Sequence, residues 1–142
     1  MTIRRHAREL ALQSLYQSEL SGKPLAETFA LLRDHFEANK RALPYAGELV
    51  DGLVAEQAEL DRRISAQADN WRVERMSLID RNIIRIAAYE LCFRPDIPVR
   101  VVINEALEVA KRYSTDEAAP FINGILDAIG KTVPRPADSQ TG

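Results

Sequence analysis

Apolar positions recur along this chain at helical spacing, and no strand-like alternation competes with them. In the opening stretch RRHARELALQSLYQSEL, the residues Ala7, Leu10, Ala11, Ser14, Leu15 and Ser18 follow the i, i+3, i+4, i+7 rule, which predicts one small-residue, apolar face. Gly22 followed by Pro24 stops that helix. A second helix is predicted from about Pro24 to Phe36, with Phe29, Leu32 and Phe36 on one side. The polar stretch EANKRALP connects it to a third helix, from about Tyr45 to Ile64. Leu49, Leu53, Leu60 and Ile64 mark its inner face, and Val50 and Val54 widen it. The pattern breaks in AQADNWRVERM, where an irregular turn is expected around Trp71.

Ser77 and Asp80 then form a capping-box pattern, Ser-x-x-Asp, ahead of LIDRNIIRIAAYELCF. Ile79, Ile83, Ile84, Ile86, Ala87, Ala88 and Leu91 make this helix apolar on more than one face, as expected of a segment in the middle of a bundle. RPDIP makes a turn. The following helix, about Val99 to Tyr113, buries Val99, Val102, Ile103, Ala106, Leu107, Ala110 and Tyr113 and exposes Arg100, Asn104, Glu108 and Lys111. STDEAAP begins a last helix whose stripe is Phe121, Ile122, Ile125, Leu126 and Ile129. The predicted fold is all-α, a compact bundle of about six or seven helices. It occupies residues 1–133, as an N-terminal lobe over about 1–70 and a C-terminal lobe over about 71–133, and residues 134–142 form a flexible tail.

Composition narrows the function classes. With 142 residues, 46% of them hydrophobic, the chain can bury a core without a disulfide or metal staple. Its one cysteine, Cys92, sits in the apolar stretch AAYELCF, which fits a reducing cytoplasm. No apolar run has the length of a membrane span, and the opening residues lack a signal-peptide pattern. A net charge of −2 argues against general coating of nucleic acid, so any such site must be a local patch. Zinc-site spacings, phosphate loops, dinucleotide-binding glycines and nucleophile elbows are all missing from the sequence, and no cofactor or metal is expected.

The surface pattern is more informative. Arg4 and Arg8 lie one turn apart beside the core stripe of the first helix, and Arg5, Leu12 and Tyr16 follow on the neighbouring strip. One reading is a guanidinium cluster for phosphates that continues into an apolar and aromatic strip for a protein partner. The other is that these arginines only solubilise the terminus or pair with Glu9. Cations near a helix N-terminus oppose the macrodipole by about 0.3–1 kcal/mol, which favours a use for them. Phe121 reads either as a core aromatic or as a base-stacking platform at the lip of the bundle. Asp80 reads as a cap-region charge or as an acidic contact for a basic partner. Gly124, inside the last helix, is expected to allow close helix packing.

Three stretches together resemble the NusB family of bacterial transcription antitermination factors: RRHARELALQSLYQ, WRVERMSLIDRNIIRIAAYEL and IPVRVVINEALEVAKRYSTDEAAPFINGIL. They occur in the family's order and span nearly the whole chain, while residues 22–70 add little. The resemblance implies two helical subdomains, no catalytic activity, and binding of the boxA element of ribosomal RNA leader transcripts. It implies that binding is shared with NusE, a small-subunit ribosomal protein, in a complex that joins RNA polymerase and reads through terminators. It carries RNA contact onto Arg4, Arg5, Arg8 and Phe121, with Asp116 and Glu117 beside the RNA path, and the partner-protein surface onto Tyr16 and Asp80. His6 departs from the family, which often has another arginine there. Two alternatives stay open: an RNA-binding module like those fused to ribosomal RNA cytosine methyltransferases, and a helical scaffold that binds only protein. Leu12 and Tyr16, read as exposed, equally suit a homodimer.

Overall fold

Local signals at the helix ends set the element order. The structure, a computed structural model, describes residues 2–35, 40–68 and 76–134; Phe36, Trp71 and the tail from residue 135 onward lie outside them. Helix α1 spans Ile3–Ser21, α2 Leu25–Asp34, α3 Leu43–Gln67, α4 Leu78–Phe93, α5 Val99–Tyr113 and α6 Ala118–Thr132. A 3-10 turn at Lys40–Ala42 leads into α3. Among the described residues every regular element is helical, as the periodicity predicts.

Thr2 opens α1, its hydroxyl accepting a hydrogen bond from the Arg5 backbone N–H at 3.0 Å. Gly22 closes it in the left-handed region (φ 75°), where its N–H donates to Ser18 O at 2.9 Å. Pro24 and Pro98 precede α2 and α5, where a fixed φ suits a helix start and a missing N–H costs nothing.

The chain divides into two compact units, residues 1–57 and 58–142. In the first, α1 packs on α2, and Leu10, Leu15, Phe29, Leu49 and Leu53 are buried. Each such side chain contributes about 1.5–3 kcal/mol relative to exposure. Two expectations need correction here. Leu12 is only 1% exposed, because Ala7 to Leu12, Ser14 and Leu15 are all shielded and α1 is enclosed on far more than one stripe. Val54 is exposed, one turn beyond the buried Val50, and the inner face of α3 continues through Leu53, Leu60 and Ile64 without it.

In the second unit α4 packs against both α5 and α6, which pack on each other. Its Ile83, Ile84, Ala87, Ala88 and Leu91 are buried, which is why this helix carries apolar residues on several faces. On α5, Val99, Leu107 and Tyr113 are half-buried rather than interior. Close helix packing occurs at Gly130, where an added Cβ would stand 3.0 Å from Val99 Cγ1. It does not occur at Gly124, whose Cβ position has nothing within 4 Å, so the expectation for that glycine is overturned. A polar cluster completes the unit: the Arg85 guanidinium donates to both Asp61 carboxylate oxygens at 2.8 Å and to Asn82 Oδ1 at 3.0 Å.

Candidate nucleic-acid interface

At the start of α1 the first turn contains no acidic residue, so its cations are not neutralised from within that turn. The Arg4 guanidinium lies 4.7 Å from the centroid of the Tyr45 ring and that of Arg8 lies 5.9 Å from it. Two arginines one helical turn apart therefore share one aromatic ring at the beginning of α3. Their exposure differs. Arg4 is exposed and Arg5 half-buried, whereas Arg8 is only 5% exposed. The expected cluster of three outward guanidinium groups is thus a pair at the surface with a third tucked behind it. His6 and Tyr16 are half-buried. Leu12 is interior and offers no surface to a partner.

The second cluster gathers where α4 begins and the α5–α6 connection passes. Ser77 caps α4, accepting from the Asp80 backbone N–H at 3.1 Å. The Asp80 carboxylate accepts a hydrogen bond from the Ser114 hydroxyl at 2.5 Å, which ties the first turn of α4 to the end of α5. Beside this bond lies an open cleft of about 350 Å³ lined by Met76, Ser77, Asp80, Thr115, Glu117, Ala118 and Phe121. Phe121 is half-buried, with part of its ring available to the cleft, while Asp116 and Glu117 are exposed.

The structure therefore brings Asp80, Glu117 and Phe121 into one cleft, although the sequence assigned Asp80 to a protein partner and the other two to RNA. Asp116 does not line it. Tyr45, Ser114 and Thr115 were missed by sequence reasoning. Tyr45 appears there only as the first residue of a helix, and nothing in the pattern indicates that its ring faces Arg4. Ser114 and Thr115 stand in a connector, where spacing gives no direction to a side chain. Among the described residues no group of three or more His, Cys, Asp or Glu side chains is arranged to hold a metal ion.

The model of the NusB family matches residues 5–131. The chain belongs to the NusB family. Transcription antitermination protein NusB of Desulforudis audaxviator is 47% identical over 135 residues, covering 95% of this chain and 96% of that protein. The protein of the same name from Geotalea uraniireducens is 43% identical over 142 residues, covering 94% and 98%. Among solved structures, T. maritima NusB superposes with a TM-score of 0.86 at 34% identity, covering 96% of each chain. A structure of the antitermination factors NusB and NusE in complex with double-stranded RNA matches with a TM-score of 0.81 at 31% identity, over 92% of this chain and 98% of that one. The NusB match takes in α1 from Arg5, the Phe121 cleft and all of α2 to α5, so the cleft and, apart from Arg4, the arginine cluster lie within the family's shared region. No helix among the described residues is long and apolar enough to cross a membrane.

Proposed function

We propose that this chain is a transcription antitermination factor that binds the boxA element of ribosomal RNA leader transcripts jointly with NusE and promotes read-through by RNA polymerase in ribosomal RNA operons. Its working compartment is the cytoplasm, where the transcript is made. The observation that carries the reading is the family match over residues 5–131, together with a relative solved with NusE and RNA bound. The local chemistry agrees with it. Arg4 and Arg5 present guanidinium groups that can fork onto phosphate oxygens, and the buried Arg8 guanidinium lies 5.9 Å from the Tyr45 ring centroid.

Phe121 offers a face to a splayed base, and Asp116 and Glu117 flank the RNA path. Tyr16 and Asp80 remain the candidate contacts for NusE; Leu12 is withdrawn because it is buried. A small cationic patch on a chain of net charge −2 binds RNA modestly alone, and a second protein raises affinity by simultaneous contact.

Gel shifts with boxA RNA and a scrambled control, each with and without NusE, test the proposal. Preferential retardation of boxA, strengthened by NusE, is expected. Binding of NusE without any preference for boxA would leave a protein-only scaffold instead.

A further inference from the structure

Ser77 and Asp80 form only half of the capping box that their spacing predicts. In a complete box the side chain three residues into the helix turns back to accept from the backbone N–H of the cap residue. Here Ser77 accepts from the Asp80 N–H, but the Asp80 carboxylate does not return to Ser77. It accepts instead from the Ser114 hydroxyl at 2.5 Å, 34 residues further along the chain. Ser114 is itself fixed. It stands at the end of α5 in extended conformation (φ −123°, ψ −165°), and its N–H donates to Ala110 O at 2.8 Å. A rigid donor thus draws the carboxylate away from local use and holds it at the cleft that Asp80 lines. The bond takes Oδ1; among the described residues no hydrogen bond or ion pair engages Oδ2.

From this diversion we infer that Ser114 is a positioning residue for the protein partner, presetting the Asp80 carboxylate to receive a basic side chain of NusE. The inference rests on the assignment of Asp80 to NusE in the proposed function and adds a residue that this assignment leaves without a role. Charge sets the chemistry of the contact. Glu117 lines the same cleft and none of its described lining residues is basic, so the Asp80 side suits a lysine or arginine brought from outside. With Oδ1 tied to Ser114, Oδ2 accepts from an ammonium group or from one arm of a guanidinium. A carboxylate already held in one orientation loses less freedom on binding, so the residue that holds it raises affinity without touching the partner.

The test measures NusE affinity of the full chain and its variants by isothermal titration calorimetry, with a thermal melt of each. Ser114→Ala is expected to weaken binding about three- to tenfold, the range that ordering one side chain covers. Its Tm should fall by no more than a few degrees. Ser114→Thr keeps the hydroxyl, suits the extended backbone at this position, and is expected to restore the parent affinity. Asp80→Ala retains the Ser77 cap, which uses the backbone N–H, and should weaken binding at least as much as Ser114→Ala. In the Asp80→Ala background, Ser114→Ala should add no further loss, because it acts only through that carboxylate. Parent-like affinity in Ser114→Ala overturns the inference, and so does an equal loss in Ser114→Thr. Additive losses in the double variant overturn it as well, since Ser114 would then act apart from Asp80. If Asp80→Ala binds NusE as the parent does, the contact assigned to Asp80 fails and the inference goes with it. A parent chain that does not bind NusE at all sinks the wider reading together with the inference; the parent titration alone separates that result from failure at Ser114.

Discussion

The ring of Tyr45, at the start of α3, lies under the guanidinium group of Arg4, at the start of α1, with 4.7 Å between the guanidinium carbon and the ring centroid. A cation held over an aromatic face gains about 0.5–1 kcal/mol at an exposed site. Arg8 leans on the same ring from 5.9 Å. Tyr45 is thus a positioning residue, and Tyr45→Leu should weaken boxA RNA binding about two- to fivefold. Tyr45→Phe, which keeps the π face, should bind as the parent does. Fluorescence anisotropy titration of both variants decides the matter, and equal affinity for the leucine variant would show that the ring does not set the grip.

The unequal exposure of the arginines changes what salt should reveal. Arg4, Arg5 and Arg8 would neutralise three phosphates if all faced outward, but Arg8 is shielded in the free chain. For single-stranded RNA each neutralised phosphate adds about 0.7 to the steepness with which log affinity falls against log salt. Arg4→Gln with Arg5→Gln should therefore flatten that slope by about 1.4. Arg8→Gln should leave the slope within error and lower the Tm instead, because it removes a buried side chain that lies beside the Tyr45 ring. A slope change of the same size in Arg8→Gln would mean that this residue swings out to the RNA.

How much of this was legible in the sequence depends on which physical signal each residue carries. The helices were legible because burial repeats with helical period, and because Thr2, Gly22 and Ser77 mark ends by backbone chemistry that acts locally. The pairing of Arg4 with Arg8 was legible for the same reason, since one turn separates them. Leu12 was misjudged because periodicity locates one buried stripe, whereas α1 is covered nearly all round by the neighbours that the chain later places against it. Gly124 was misjudged because a glycine's use lies in what comes near it, and that is a tertiary fact. The joining of Asp80, Glu117 and Phe121 in one cleft brings together residues up to about forty positions apart, which no local pattern can report. Family resemblance supplied their names but not their proximity.

The Arg85–Asp61 pair joins α4 to α3 with two hydrogen bonds of 2.8 Å, and the side chains are 7% and 30% exposed. Removing one member of a fully buried pair typically costs 3–5 kcal/mol, and the partial exposure of Asp61 brings the expectation for Arg85→Met down to about 2–3 kcal/mol. That variant also leaves Asn82 Oδ1 without its Arg85 donor, next to an Nδ2 that is already buried with no hydrogen-bond partner. Replacing both members, Arg85→Met with Asp61→Leu, should recover most of the loss, since no uncompensated charge remains. Urea unfolding of the two single variants and the double variant forms the required cycle. A double variant as unstable as the sum of the singles would show that the two side chains act independently.

Glu59 accepts hydrogen bonds from Arg62, at 2.9 and 2.5 Å, and from Arg63, at 2.7 Å. These bonds, Arg62's first and Arg63's second, hold its carboxyl at about 2, well below the ordinary value of 4.5. A folded-state value below the unfolded one means that ionised Glu59 adds stability above about pH 4.5. That contribution is lost as the pH falls through this range toward about 2. The gain is small, because the Glu59 side chain is 33% exposed and solvent and salt screen the pair. Glu59→Gln should therefore melt slightly below the parent at pH 7, and the difference should shrink steadily between pH 4.5 and pH 2. Carbon-detected NMR titration of the Glu59 carboxyl provides the direct check, with an expected midpoint near 2. A midpoint at its ordinary value, with a melting difference that does not change with pH, would mean that the two arginines do not hold the carboxylate in solution.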